Sequence, residues 1–176
     1  MRHFIAAISM LCTASFALAG MPNVSFPSID GGILEMSDWD GRPVLVVNTA
    51  SQCAFTRQYD ELQTLYDAYR AQGLVVLAVP SDDFRQELDS AAEVKEFCEM
   101  NFGLDMPMTD ITRVKGKNAH ALYRAVKAET GFVPRWNFNK VLFAPDGSVA
   151  ATWGSHISPM SRDITSAVEQ ALSNPE

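Results

Sequence analysis

Two hydrophobic periods alternate along this chain, and the switches between them lay out its elements. Val44-Leu-Val-Val47 is a continuous apolar run, the pattern of a strand buried on both faces. It turns small and polar from Asn48 to Gln52. From Thr56 onward the spacing predicts a helix, with Tyr59, Leu62, Leu65, Tyr66 and Tyr69 on one face and Gly73 as its stop. Leu74 to Val79 is a second apolar run. Strand, helix, strand with short connections is a βαβ unit, with parallel strands and a right-handed crossover.

Upstream, Val24 to Met36 reads as a hairpin turning at Asp30-Gly31-Gly32, and Trp39 to Pro43 as a loop. Downstream, Pro80 to Ser90 is a polar loop at the carboxyl end of the second strand, the end where parallel sheets gather their sites. Ala91 to Phe102 has helical spacing and ends at Gly103. Asn118 is expected to cap a helix carrying Leu122, Ala125 and Val126, stopped at Gly131. Trp136 to Phe143 alternates as a strand. Pro145-Asp146-Gly147 is a turn, and Ser148 to Trp153 pairs back antiparallel. Ser161 to Leu172 is a last amphipathic helix. The order βαβ, helices, ββα predicts an α/β protein of thioredoxin type, with an N-terminal hairpin and an insertion between its halves.

The first residues follow neither period. Residues 1–19 have a short basic start, an apolar middle and end in Ala17-Leu18-Ala19, the pattern of a secretory signal peptide. The expectation is an exported protein, in a bacterial periplasm, whose residues 20–176 form one domain. Leu11 before Cys12 is not the small residue of a lipid-anchor site, so no stable membrane anchor is expected. The formal charge of −7 disfavours nucleic acid and anionic membrane as partners. The three histidines, His3, His120 and His156, lie in no ligand spacing, and no metal or other cofactor is expected.

Loss of the signal removes Cys12 and leaves Cys53 and Cys98. Two cysteines in an oxidising compartment suggest a pair, either a static disulfide or a redox couple. Cys53, between a strand end and a helix start, is placed where N–H groups and the helix dipole favour a thiolate. Most cysteines are nonetheless small inert core residues, and placement alone does not separate the two readings.

Three blocks carry a resemblance that bears on this. Val47-Asn-Thr-Ala-Ser-Gln-Cys-Ala-Phe-Thr56 is similar to the peroxidatic segment of the glutathione peroxidases, in their cysteine-containing, thioredoxin-dependent branch. Phe84-Arg-Gln-Glu87, with Glu93-Val-Lys-Glu-Phe-Cys98 behind it, resembles the part that carries the family's active-site glutamine. Trp136-Asn-Phe-Asn-Lys140 is similar to its Trp-Asn-Phe signature. Ala54, Arg57 and Leu88-Asp89 depart from the family's usual glycine, proline and Pro-Gly.

The resemblance implies a peroxidase that reduces hydrogen peroxide and organic hydroperoxides and serves the response to oxidative stress. It assigns the nucleophile to Cys53 and the supporting donors to Gln86, Trp136 and Asn137. Cys98 falls in the segment that holds the resolving cysteine. The implied reductant is a thioredoxin-like protein or a low-molecular-weight thiol. The short segment between Gly131 and Trp136 implies a monomer. The residue types suit this chemistry. A thiolate attacks one oxygen of an O–O bond, and the leaving oxygen needs donors, which two amides and an indole N–H supply. The sulfenic acid left on sulfur condenses with a second thiol. Two rivals stand beside it. One is a thiol–disulfide oxidoreductase acting on proteins, which usually wants Cys-x-x-Cys where this chain has Thr56. The other is a non-enzymatic exported protein stapled by a Cys53–Cys98 disulfide.

Overall fold

The structure, a computed structural model, describes residues 20–173. The expected signal, residues 1–19, lies outside them. Four strands form the central sheet: β3 (Val44–Thr49), β4 (Val75–Pro80), β5 (Lys140–Phe143) and β6 (Val149–Trp153), in the order β4-β3-β5-β6. β3 and β4 are parallel, while β5 runs antiparallel to both β3 and β6. The hairpin of β1 (Ser25–Pro27) and β2 (Ile33–Glu35) stands apart as a second small sheet. Its turn needs Gly31 and Gly32, whose φ values of 88° and 79° are open to glycine at no steric cost.

Both faces of the sheet are apolar, and the strand period divides them. Leu45, Val47, Val76, Ala78 and Leu142 face α1 (Gln58–Tyr69), α2 (Ala91–Phe102) and α4 (Arg162–Ser173). Val44, Val46, Val75, Leu77, Val79, Val141 and Phe143 face the hairpin and α3 (Ala121–Thr130). This is the thioredoxin-like α/β architecture, with α2 and α3 in the segment between β4 and β5.

Three expectations shift. α1 begins at Gln58 rather than Thr56, after a run of tight turns in which Thr56 N–H donates to Cys53 O at 3.1 Å and Tyr59 N–H to Thr56 O at 2.9 Å. α3 is capped by His120, not Asn118: the His120 ring accepts from Leu122 N–H at 3.3 Å. The strand expected from Trp136 begins only at Lys140, because Phe138 takes a left-handed φ of 60° that no strand tolerates.

Candidate active site

Strand register sets the site. Thr49 at the end of β3 pairs with Pro80 at the end of β4, and Lys140 at the start of β5 pairs with Val47. The loops after β3 and β4 and the turn before β5 therefore leave the sheet at one edge. They carry Cys53, Gln86 and Trp136-Asn137 respectively.

Cys53 sits in the turns between β3 and α1, 5% exposed, at the rim of the core that holds α1, α2 and α4. It lies five residues before Gln58, so the expected helix N-terminus is replaced by the tight turns that lead into α1. The Gln86 loop closes onto it: Gln52 N–H donates to Gln86 O at 2.9 Å. Glu87 extends the clasp, since its Oε1 accepts from Ser51 N–H and from Leu88 N–H, each at 2.9 Å. Burial raises the Glu87 pKa, with the Ser51 and Leu88 donors pulling the other way.

Asn137 is fully buried and donates from Nδ2 to Gln86 Oε1 at 3.1 Å. Gln86 thus has its carbonyl occupied. Among the described residues neither its own NH2 nor the Trp136 indole N–H has a hydrogen-bond partner. One N–H of the Asn137 amide is thus engaged in orienting Gln86. Trp136 is 41% exposed, with its ring 5.5 Å from that of Phe84. The structure gathers Gln86, Trp136 and Asn137 around the loop of Cys53. Cys98 does not join them: it lies on α2, buried and unbonded, and Cys53 is likewise a free thiol. Desolvation pushes the Cys98 thiol up to about 12.

The Trp136–Asn139 turn is held by residues that the sequence did not single out. Asn48, the polar end of an otherwise apolar strand, donates from Nδ2 to Trp136 O at 3.0 Å and accepts Asn139 N–H at Oδ1 at 3.1 Å. Asn139 Nδ2 reaches Trp136 O at 2.6 Å and Ser155 Oγ at 3.0 Å, and Ser155 Oγ donates to Asn137 O at 2.5 Å. The only non-glycine residues with positive φ among those described are Arg85 (57°) and Phe138 (60°). Each adjoins a proposed site residue. Strain of this kind costs about 1–3 kcal/mol and persists only where surrounding contacts over-determine it.

A cleft of about 550 Å³ opens beside Trp136, with Phe132, Val133, Arg135 and His156 among its walls. Among the described residues no group of three or more His, Cys, Asp or Glu side chains is placed to hold a metal ion. No described helix is long and apolar enough to cross a membrane.

Residues 21–127 match the family described as Glutathione peroxidase. The chain belongs to the glutathione peroxidase family. It is 39% identical to a glutathione peroxidase of Lactococcus lactis over 137 residues, 74% of this chain and 87% of that one. It is 35% identical to the hydroperoxy fatty acid reductase gpx1 of Synechocystis sp. over 156 residues, 82% and 91% of the two chains. The crystal structure of Trgpx in its apo form superposes with a TM-score of 0.70 at 28% identity, covering 92% of this chain and 99% of that one. As a member of this family the protein is a thiol-dependent peroxidase, an oxidoreductase.

Proposed function

We propose that Cys53 is the peroxidatic nucleophile and that Gln86, Trp136 and Asn137 support it. The observation that carries this reading is the bond from Asn137 Nδ2 to Gln86 Oε1, made while the Gln86 backbone is fastened to Gln52, the residue before Cys53. It leaves the Gln86 NH2 directed to a thiolate and then to the leaving oxygen. The Cys53 thiolate attacks one peroxide oxygen, the O–O bond breaks, and the other oxygen leaves as alkoxide or hydroxide and takes up a proton. Cys53 becomes a sulfenic acid. The Cys98 thiol then displaces water from that sulfur and forms a disulfide. An external thiol, a thioredoxin-like protein before a low-molecular-weight one, returns both cysteines to thiols by exchange.

Resolution requires α2 to open locally. Cys98 is buried on the inner face of a helix capped at both ends. Ser90 Oγ accepts Glu93 N–H at 3.3 Å, and Gly103, at φ 59°, donates to Glu99 O at 3.0 Å. The high thiol pKa keeps Cys98 protonated and unreactive until that opening.

The cleft beside Trp136, with its apolar walls and the cation of Arg135, supports organic hydroperoxides as substrates alongside hydrogen peroxide. The name of the Synechocystis relative points the same way. We place the protein outside the cytoplasm, as a monomer; an intact mass that begins at Gly20 tests the export.

Stopped-flow oxidation of the reduced protein by hydrogen, alkyl and lipid hydroperoxides tests the mechanism. Cys53→Ser should lose the reaction, and Cys98→Ser should keep one turnover and lose recycling. A peptide map after one equivalent of peroxide should contain the Cys53–Cys98 bridge. A persistent sulfenic acid in the unmutated protein would reject Cys98 as the resolving thiol.

A further inference from the structure

One ionisable side chain in the core has no part in the mechanism above. Lys140 opens β5 and is fully buried. Its ammonium donates to Gln58 Oε1 and to Ile157 O, the latter at 2.7 Å. Gln58 is the first residue of α1, and its Nε2 donates to Ser155 O at 2.7 Å. Ser155 is the residue whose hydroxyl holds Asn137 O and receives Asn139 Nδ2. A continuous set of buried hydrogen bonds thus runs from Lys140 to the start of the helix behind Cys53 and to the turn that presents Trp136 and Asn137.

We infer that Lys140 is a positioning residue for the peroxide site, fixing through Gln58 and Ser155 the placement of α1 against the Trp136–Asn137 turn. The inference rests on the reading of those residues given above. Burying the ammonium carries a desolvation penalty that an apolar side chain in the same space would avoid, and the bonds to Gln58 and Ile157 offset it. Its surroundings offer one charge: the Glu61 carboxylate on α1, which itself accepts the Ser158 hydroxyl. The register partners from β3 and β6 are neutral, Val47 and Trp153. Desolvation brings the ammonium down to about 7, Glu61 opposing, so the donor that organises the site changes charge near neutrality. The neutral amine donates more weakly, and the turn loosens.

The test follows the Trp136 indole N–H resonance from pH 5.5 to 9 in full-length Cys53→Ser protein. Histidines titrate in the same range, so His156→Gln is included throughout. With Lys140 present the resonance should move with a midpoint of about 7, and in Lys140→Arg, which stays charged, it should not. Should Lys140→Met fail to fold, Ser155→Ala serves: the Lys140 amine still titrates, and the indole no longer follows it. In protein that retains Cys53, Lys140→Met should slow oxidation by hydrogen peroxide about tenfold, and Lys140→Arg should restore most of the rate. An indole titration unchanged in Lys140→Arg, or a folded Lys140→Met protein as fast as its parent, overturns the inference. Oxidation that survives Cys53→Ser would instead sink the peroxidatic assignment and leave the indole measurement standing.

Discussion

Asn137 and Gln86 meet through their side-chain amides at 3.1 Å, across 51 residues of sequence. The contact makes the two act as a unit. Asn137 occupies the carbonyl end of the Gln86 amide, and its own Oδ1 is left buried with no partner among the described residues. Removing Asn137 therefore frees Gln86 to turn.

The expected outcome is a lack of additivity. Gln86→Ala and Asn137→Ala should each lower the second-order rate of Cys53 oxidation by about 10²-fold, the usual effect of losing one preorganised donor. The double variant should lose little more than either single one. Stopped-flow oxidation of all four proteins closes the cycle. Losses that multiply would show that the two side chains act independently.

The left-handed backbone at Arg85 gives a prediction of opposite sign. Its side chain is exposed and its φ is 57°, so the site keeps the Gln86 loop in place at the expense of local strain. Glycine removes the Cβ clash of about 1–2 kcal/mol, less what the freer unfolded chain takes back. Arg85→Gly should raise the unfolding free energy by up to about 1 kcal/mol in urea titrations. A fall would mean that the arginine side chain, not the backbone, carries the position. Phe138 is not the place for the same test, because its ring is fully buried and its loss would swamp the gain.

Glu87 separates a hydrogen-bonding role from a charge. Its Oε1 satisfies two N–H groups, while Oε2 is buried without a partner among the described residues. Its folded pKa is raised above the ordinary carboxyl value, mainly by burial. Such a group contributes stability that is full below the unfolded pKa and is lost as pH rises through the folded one. Glu87→Gln keeps an acceptor and removes the charge, so it should be more stable than its parent at pH 7, with the gap closing toward pH 4. Glu87→Ala strips both N–H groups of their acceptor and should cost about 2–3 kcal/mol. Urea unfolding at both pH values decides between these signs.

The sheet was readable because its strands are apolar on both faces, and the helices between them because their ends are marked by Gly73, Gly103 and Gly131. The proposed site came from a different signal: Cys53, Gln86, Trp136 and Asn137 stand in motifs that resemble those of a known family. What held those residues in place was not readable. Asn48 looks like the polar end of a strand, Ser155 like a loop residue, and Lys140 like an interruption of an apolar run. Each acquires its role from a partner 16 to 97 residues away, as between Asn139 and Ser155 and between Gln58 and Ser155. The misplaced start of β5 has the same origin. Trp136 to Asn139 alternates as a strand would, yet side-chain bonds from Asn48 and Ser155 hold it as a turn, and no local pattern reports them. Asn118 likewise was an acceptable cap by type and lost to His120, whose ring also reaches Ser25 O at 2.9 Å and stacks on Phe26 at 3.9 Å.

Lys140 makes the stability of the fold depend on pH above neutrality. Its folded pKa of about 7 lies below the ordinary lysine value of 10.5 because burial disfavours the ammonium. Between those values the unfolded chain binds the proton and the folded one does not. Stability from this group therefore rises with pH through the window and is lost as pH falls toward 7. Unfolding free energies at pH 6.5, 8.0 and 9.5 should climb relative to Lys140→Met, by at most ~1.4 kcal/mol per pH unit. The direction separates this buried amine from a surface lysine, for which the difference would be flat below pH 9. It also sets stability against positioning: the state in which the fold is firmest is the one in which the ammonium no longer holds Gln58 and the Trp136 turn. A decline of the oxidation rate per thiolate centred at about pH 7, where the folded amine loses its proton, and absent in Lys140→Arg, is the expected companion of that rise.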